Sequence, residues 1–144
     1  TFILLLCSTA ALAGRAQIDI PNNADGFKTN YNSQSWSSLS DYFTNDVWRW
    51  MPDQCMTVTY GNDAVATASE ALYNTGIDSI NQNPSVTMRV EDLKNGKWAW
   101  SLGVWQGKLA NGTVALNFRS FGVWNKVQGK WLTYKSALDS CTPP

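Results

Sequence analysis

The chain has 144 residues, eleven acidic and eleven basic side chains, only 15% charged residues and no histidine. That length fits one domain, and zero net charge without a basic stripe excludes an ordinary nucleic-acid-binding surface. Lack of histidine excludes Ser-His-Asp and Cys-His nucleophiles and leaves acid–base work to Asp, Glu, Lys, Tyr or Cys.

In chain order, the apolar run from Phe2 to Leu6, followed by Ala11 and Ala13 before Gly14, reads as a secretory leader. Residues 1–13 are expected to be removed, residues 14–144 to form the domain, and the protein to be secreted. The run is too short to span a bilayer. Removal takes Cys7 and leaves Cys55 and Cys141, which an oxidising compartment is expected to join as a disulfide, worth about 4 kcal/mol on a chain-entropy estimate. Two cysteines without histidine cannot complete a zinc shell unless carboxylates join them, so no metal is expected. Glycine-rich phosphate loops are absent, and no cofactor is expected.

Residues 17–24 read as a loose lead-in. Phe27, Asn30 and Tyr31 fall at helical spacing in a weak helix from Asp25 to Ser33. Ser37 or Ser38 can cap a second short helix carrying Leu39, Tyr42 and Phe43. Val47–Met51 and Met56–Tyr60 are expected to form the first strand pair. A third helix is expected from Asp63 to Ile80, with Val65, Ala68, Leu72, Gly76 and Ile80 along one face. Strands follow over Val86–Asp92, Trp98–Lys108, Thr113–Val127 and Trp131–Leu138, divided by turns such as Lys94-Asn95-Gly96. The plan is α+β: three N-terminal helices on a curved, mostly antiparallel sheet of about six strands. Asn111, Gly112 and Thr113 form a glycosylation sequon on one of the turns.

Strand alternation puts Trp48 and Trp50 on one face of their strand, with Arg49 and Met51 on the other. Trp98 and Trp100 share a face opposite Trp105. Arg89 and Glu91 also share a face, which fits an exposed ion pair worth little.

Three stretches, in order, carry a resemblance: residues 31–35 (Tyr-Asn-Ser-Gln-Ser), residues 41–47 (Asp-Tyr-Phe-Thr-Asn-Asp-Val) and residues 130–136 (Lys-Trp-Leu-Thr-Tyr-Lys-Ser). Over about residues 22 to 140 the chain resembles the nuclear-transport-factor-2-like superfamily, and within it the SnoaL-like group and its domains of unknown function. The resemblance implies a cone-like fold around a small-molecule cavity. Its members include isomerases, cyclases, dehydratases, epoxide hydrolases and plain binding modules, so fold alone does not give function.

Ketosteroid isomerase needs a carboxylate base and two oxyanion donors, a tyrosine and a protonated aspartate. The matching positions here are Met51, before Pro52; Phe27; and Ser120 or Phe121. None can supply its group, so the resemblance favours binding over catalysis. It also turns Arg49 and Met51 towards the cavity, whose expected lining is Phe27, Tyr31, Arg49, Met51, Trp105 and Arg119. Such a lining suits a small apolar molecule with a carboxylate or other polar end. Trp48, Trp50, Trp98 and Trp100 are then candidates for an outer interface, which in this superfamily commonly makes a homodimer. Two other readings stand beside this one: a SnoaL-like enzyme using another carboxylate or tyrosine, and an extracellular carbohydrate- or protein-binding module using exposed tryptophans.

Overall fold

The computed structural model describes the backbone of residues 3–51, 57–93 and 95–141, and the side chains of residues 15–50, 58–93 and 95–139. Helix α1 spans Ile3–Asn32, followed by a 3-10 helix, Trp36–Tyr42. Strands β1 (Phe43–Met51) and β2 (Thr57–Tyr60) lead into helix α2 (Asn62–Asn74). Strands β3 (Ser79–Gln82), β4 (Arg89–Leu93), β5 (Trp98–Lys108), β6 (Val114–Val127) and β7 (Lys130–Cys141) complete the chain.

The expected lead-in at residues 17–24 is helical instead. Ala16, Ile20, Ala24 and Tyr31 are buried, with Phe27 half-buried between them. This 4-4-3-4 spacing is one helical face. It outweighs Pro21 inside the helix, which removes one backbone hydrogen bond. The expected leader boundary at residues 13 and 14 falls within α1.

The third expected helix stops at Asn74, not Ile80. Gly76 has φ +104°, a left-handed conformation that ends helices. Ile80 is still buried, but as part of β3. The strand expected over Val86–Asp92 runs from Arg89 to Leu93.

The sheet has seven strands, ordered β2-β1-β7-β6-β5-β3, with β4 also on β5. Strands β3 and β4 share one edge of β5: β3 pairs with Trp105–Lys108 and β4 with Trp98–Leu102. All pairings are antiparallel except β1 with β7. Register shifts at Phe43/Trp48, Gly107/Lys108 and Val123/Trp124 interrupt the ladders. Such bulges increase local twist and bend long strands, and the sheet curls into the α+β cone.

Helix α1 fills the cone. Ala16 and Ile20 pack on Val90, Ala99, Trp124 and Trp131. Ala24 and Tyr31 pack on Ile77, Ile80 and Trp105. Asn32 ties the end of α1 to β3, donating from Nδ2 to the Ile80 carbonyl (3.1 Å) and accepting from the Ile80 N–H (2.9 Å). Among the described residues no helix is long and apolar enough to cross a membrane. Cys55 and the side chains of Cys7 and Cys141 lie outside the described residues, and so does the expected disulfide.

Candidate functional site

The inner sheet face and α1 line a partly open cavity of about 110 Å³. Its wall includes Phe27 and Tyr31 of α1, Arg49 of β1, Trp105 of β5 and Phe118 of β6. Four of the six expected lining residues therefore meet there: Phe27, Tyr31, Arg49 and Trp105. Met51 continues β1, but its side chain lies outside the described residues.

Arg119 does not line this cavity. Trp105 pairs with Phe118 and Val104 with Arg119, so Phe118 points inward with Trp105 and Arg119 points outward. Its guanidinium is exposed and ion-paired with Asp139 on the neighbouring strand. Arg89 and Glu91 likewise form an exposed ion pair.

Arg49 is the only charged residue in the described wall, which holds no Asp, Glu, Lys or Cys. Its Nε donates to Ser136 Oγ (3.2 Å). Its Cζ lies 5.0 Å from the Phe43 ring centre and 6.0 Å from that of Phe27, within cation–π range. Burial pulls its pKa down to about 10, which still leaves it protonated at neutral pH.

Tyr31 donates its hydroxyl to the Ile77 carbonyl (2.8 Å), so its proton is committed to the backbone. Burial first, then Asp78 and Tyr73, raise its pKa above the ordinary 10.0. The sign follows: the folded protein keeps this phenol neutral while the unfolded chain ionises near 10.0, so stability present below that pH is lost above it. Tyr31→Phe should cost about 1–2 kcal/mol at neutral pH by orphaning a buried carbonyl. It should also remove this share of the alkaline loss. Urea unfolding at about pH 7 and about pH 11 checks both; an equal alkaline loss in the variant contradicts the assignment.

Tyr42 and Ser136 were not among the expected lining residues. The Tyr42 hydroxyl accepts from Asn30 Nδ2 (2.9 Å), and its ring stands edge-on to Phe27 (6.0 Å). Gly26 permits this approach, because a Cβ there would lie 2.8 Å from the Tyr42 hydroxyl. Ser136 faces inward because the bulge near Tyr134 shifts β7 alternation: Trp124 pairs with Thr133 but Val123 with Lys135. Spacing within the β7 sequence does not reveal that bulge. Deeper in the wall, Ser120 Oγ accepts from Trp105 Nε1 (3.1 Å) and Ser101 Oγ accepts from Trp124 Nε1 (2.8 Å).

On the opposite sheet face, register aligns Trp50, Ala137, Phe121, Leu102 and Arg89 in one row across the strands. The next row runs through Trp48, Lys135, Val123, Trp100 and Glu91. Trp98 packs edge-on against Tyr134 (5.2 Å), and Trp100 stacks on Phe121 (6.4 Å). The four interface candidates, Trp48, Trp50, Trp98 and Trp100, thus share the outer face. Asn111 is exposed at the β5–β6 turn, its Oδ1 accepting from the Thr113 N–H (2.9 Å).

No family model and no curated protein matches the sequence. Solved structures do match. An NTF2-like protein with a cystatin-like fold from Novosphingobium aromaticivorans aligns with TM-score 0.75 and 12% identity, covering 100% of this chain and 92% of that one. An NTF2-like protein of unknown function from Pseudomonas putida KT2440 gives TM-score 0.73 and 10% identity, with 90% and 89% covered. A ketosteroid isomerase-like protein from Erwinia carotovora atroseptica gives TM-score 0.61 and 17% identity, with 87% and 95% covered. The chain has the nuclear-transport-factor-2-like fold.

Proposed function

We propose that this protein is a secreted SnoaL-like domain that holds a small apolar or amphipathic molecule in its cone. The observation that carries this reading is the cavity itself: an aromatic lining with one cation and, among the described wall residues, no carboxylate or imidazole. A SnoaL-like enzyme would need an acid–base group in that wall, where the candidates are Tyr31, whose proton is held by the Ile77 carbonyl, and Tyr42. A platform for sugar or protein would not require a hollow interior. In a eukaryotic secretory pathway, exposed Asn111 would carry a glycan.

Fluorescence titration with single-ring and short-chain compounds tests the reading. Trp105 borders the cavity and Trp124 lines its wall, so bound compounds should alter emission. No response across a broad panel of neutral and acidic compounds contradicts it.

The outer face favours a second feature, self-association into a homodimer. Trp50, Leu102 and Phe121 are 36%, 45% and 42% exposed and lie in one row, with Ala137 between Trp50 and Phe121, an apolar cluster unusual on a monomer surface. Ion pairs Arg89–Glu91 and Arg119–Asp139 flank it, as a polar rim flanks an interface core. Light scattering should give twice the chain mass, and Phe121→Glu should give a folded monomer. A wild-type monomer at about 100 μM, or a dimer indifferent to Phe121→Glu, contradicts this interface.

A further inference from the structure

We infer that the cone is a seat for a small monocarboxylic acid, its carboxylate on the terminal amino groups of Arg49 and its apolar body among the rings. This rests on the ligand-binding reading above and names the ligand class.

The argument starts from how Arg49 is used. Nε is committed to Ser136 (3.2 Å). Phe43 and Phe27 lie at cation–π distance from the guanidinium carbon. Its terminal amino groups have no hydrogen-bond partner among the described residues, and no described carboxylate comes within 4.0 Å of it. A guanidinium among apolar groups without a counter-charge is costly, and its planar fork matches a carboxylate with two parallel N–H donors.

Three hydroxyls of the cavity wall point the same way. Tyr42 accepts from Asn30, Ser136 accepts from Arg49 and Ser101 accepts from Trp124. Each hydroxyl has received one hydrogen bond, and its own proton has no acceptor among the described residues. The wall therefore presents donors in excess, and the missing component is an acceptor.

Charge and size narrow the class. One cation neutralises a monoanion; the other expected arginine, Arg119, faces outward beside Asp139. A doubly charged phosphate or sulfate would leave charge uncompensated in an apolar cavity. At about 110 Å³ the cavity is somewhat smaller than the roughly 150 Å³ apolar cavity that accepts benzene. That space limits the ligand to a short or branched chain carrying one carboxylate.

Calorimetry at neutral pH with isobutyrate, 2-methylbutyrate and pivalate against isobutyramide, isobutanol and 2-methylbutanol tests the assignment. The acids should bind at least about tenfold more tightly than their neutral counterparts. Arg49→Met should weaken the acids by on the order of 10- to 100-fold while leaving neutral compounds within about threefold; Arg49→Lys should retain part of the preference. Thermal melts of both variants establish that they fold. Neutral compounds binding as tightly as acids, or acids binding Arg49→Met undiminished, overturn the carboxylate assignment and leave the pocket reading intact. Failure of every acid and every neutral compound to bind overturns both.

Discussion

Trp105→Ala is expected to destabilise the protein by about 3–5 kcal/mol, the range for truncating a large core aromatic. Trp105 is 7% exposed and packs with Ala24, Tyr31, Ile77 and Ile80, where α1, β3 and β5 meet. Its indole also satisfies Ser120, and removing it leaves that hydroxyl without its donor. Trp105→Phe loses the indole N–H and leaves a smaller void where the five-membered ring stood, so about 1–3 kcal/mol is expected. Trp50 is the internal control. It is 36% exposed on the outer face, and Trp50→Ala should cost under about 1 kcal/mol in the monomer. Guanidinium unfolding of the three variants in a monomeric background checks the order. Equal losses for Trp105→Ala and Trp50→Ala would contradict the facing of the sheet.

The second large effect concerns a residue with no side chain. A Cβ on Gly107 would lie 2.9 Å from Ile77 Cγ2 and 3.4 Å from Leu116 Cβ. Ile77 is buried between β5 and α1 and cannot swing into solvent. Gly107→Val therefore overpacks the core, at about 1–3 kcal/mol, and should lower the melting temperature by roughly 2–12 °C for a domain of this size. Combining it with Ile77→Ala should recover part of the loss, because the clash disappears with its partner. A loss that simply adds to that of Ile77→Ala would mean that Gly107 acts for another reason.

Legibility followed the range of the interactions concerned. Strand β5 was readable to its ends, Trp98 and Lys108, because turn residues flank an unbroken strand pattern. The first half of α1 was not. Asp19, Pro21, Asn22 and Asn23 have poor helix propensity, and only tertiary packing of Ala16, Ile20 and Ala24 on the sheet offsets it. Strand β3 escaped notice because Ser79–Gln82 has one apolar residue, Ile80, and depends on β5 and Asn32 for its partners.

The site shows the same division. Phe27 and Tyr31 sit at helical spacing, and Arg49 alternates with two tryptophans, so which residues share a face could be read locally; that Arg49 faces inward came from the resemblance. Arg119 could not be placed in the same way. Strand β6 carries apolar residues on both faces, Phe118 and Trp124 inward and Phe121 and Val123 outward, and alternation then has no polar side to identify. Pairing with β5 decides it. Ser136 and Tyr42 depend on a bulge and on a close approach to Gly26, neither of which local spacing reveals.

The most direct measurement is the set of indole N–H signals in a ¹⁵N-correlated NMR spectrum as 2-methylbutyrate is added. A ligand in the cone beside Arg49 should shift Trp105 and Trp124, whose indoles bond Ser120 and Ser101 at the cavity wall, while Trp48, Trp50, Trp98 and Trp100 stay in place. Shifts confined to those four outer tryptophans would put binding on the wrong side of the sheet and contradict the account.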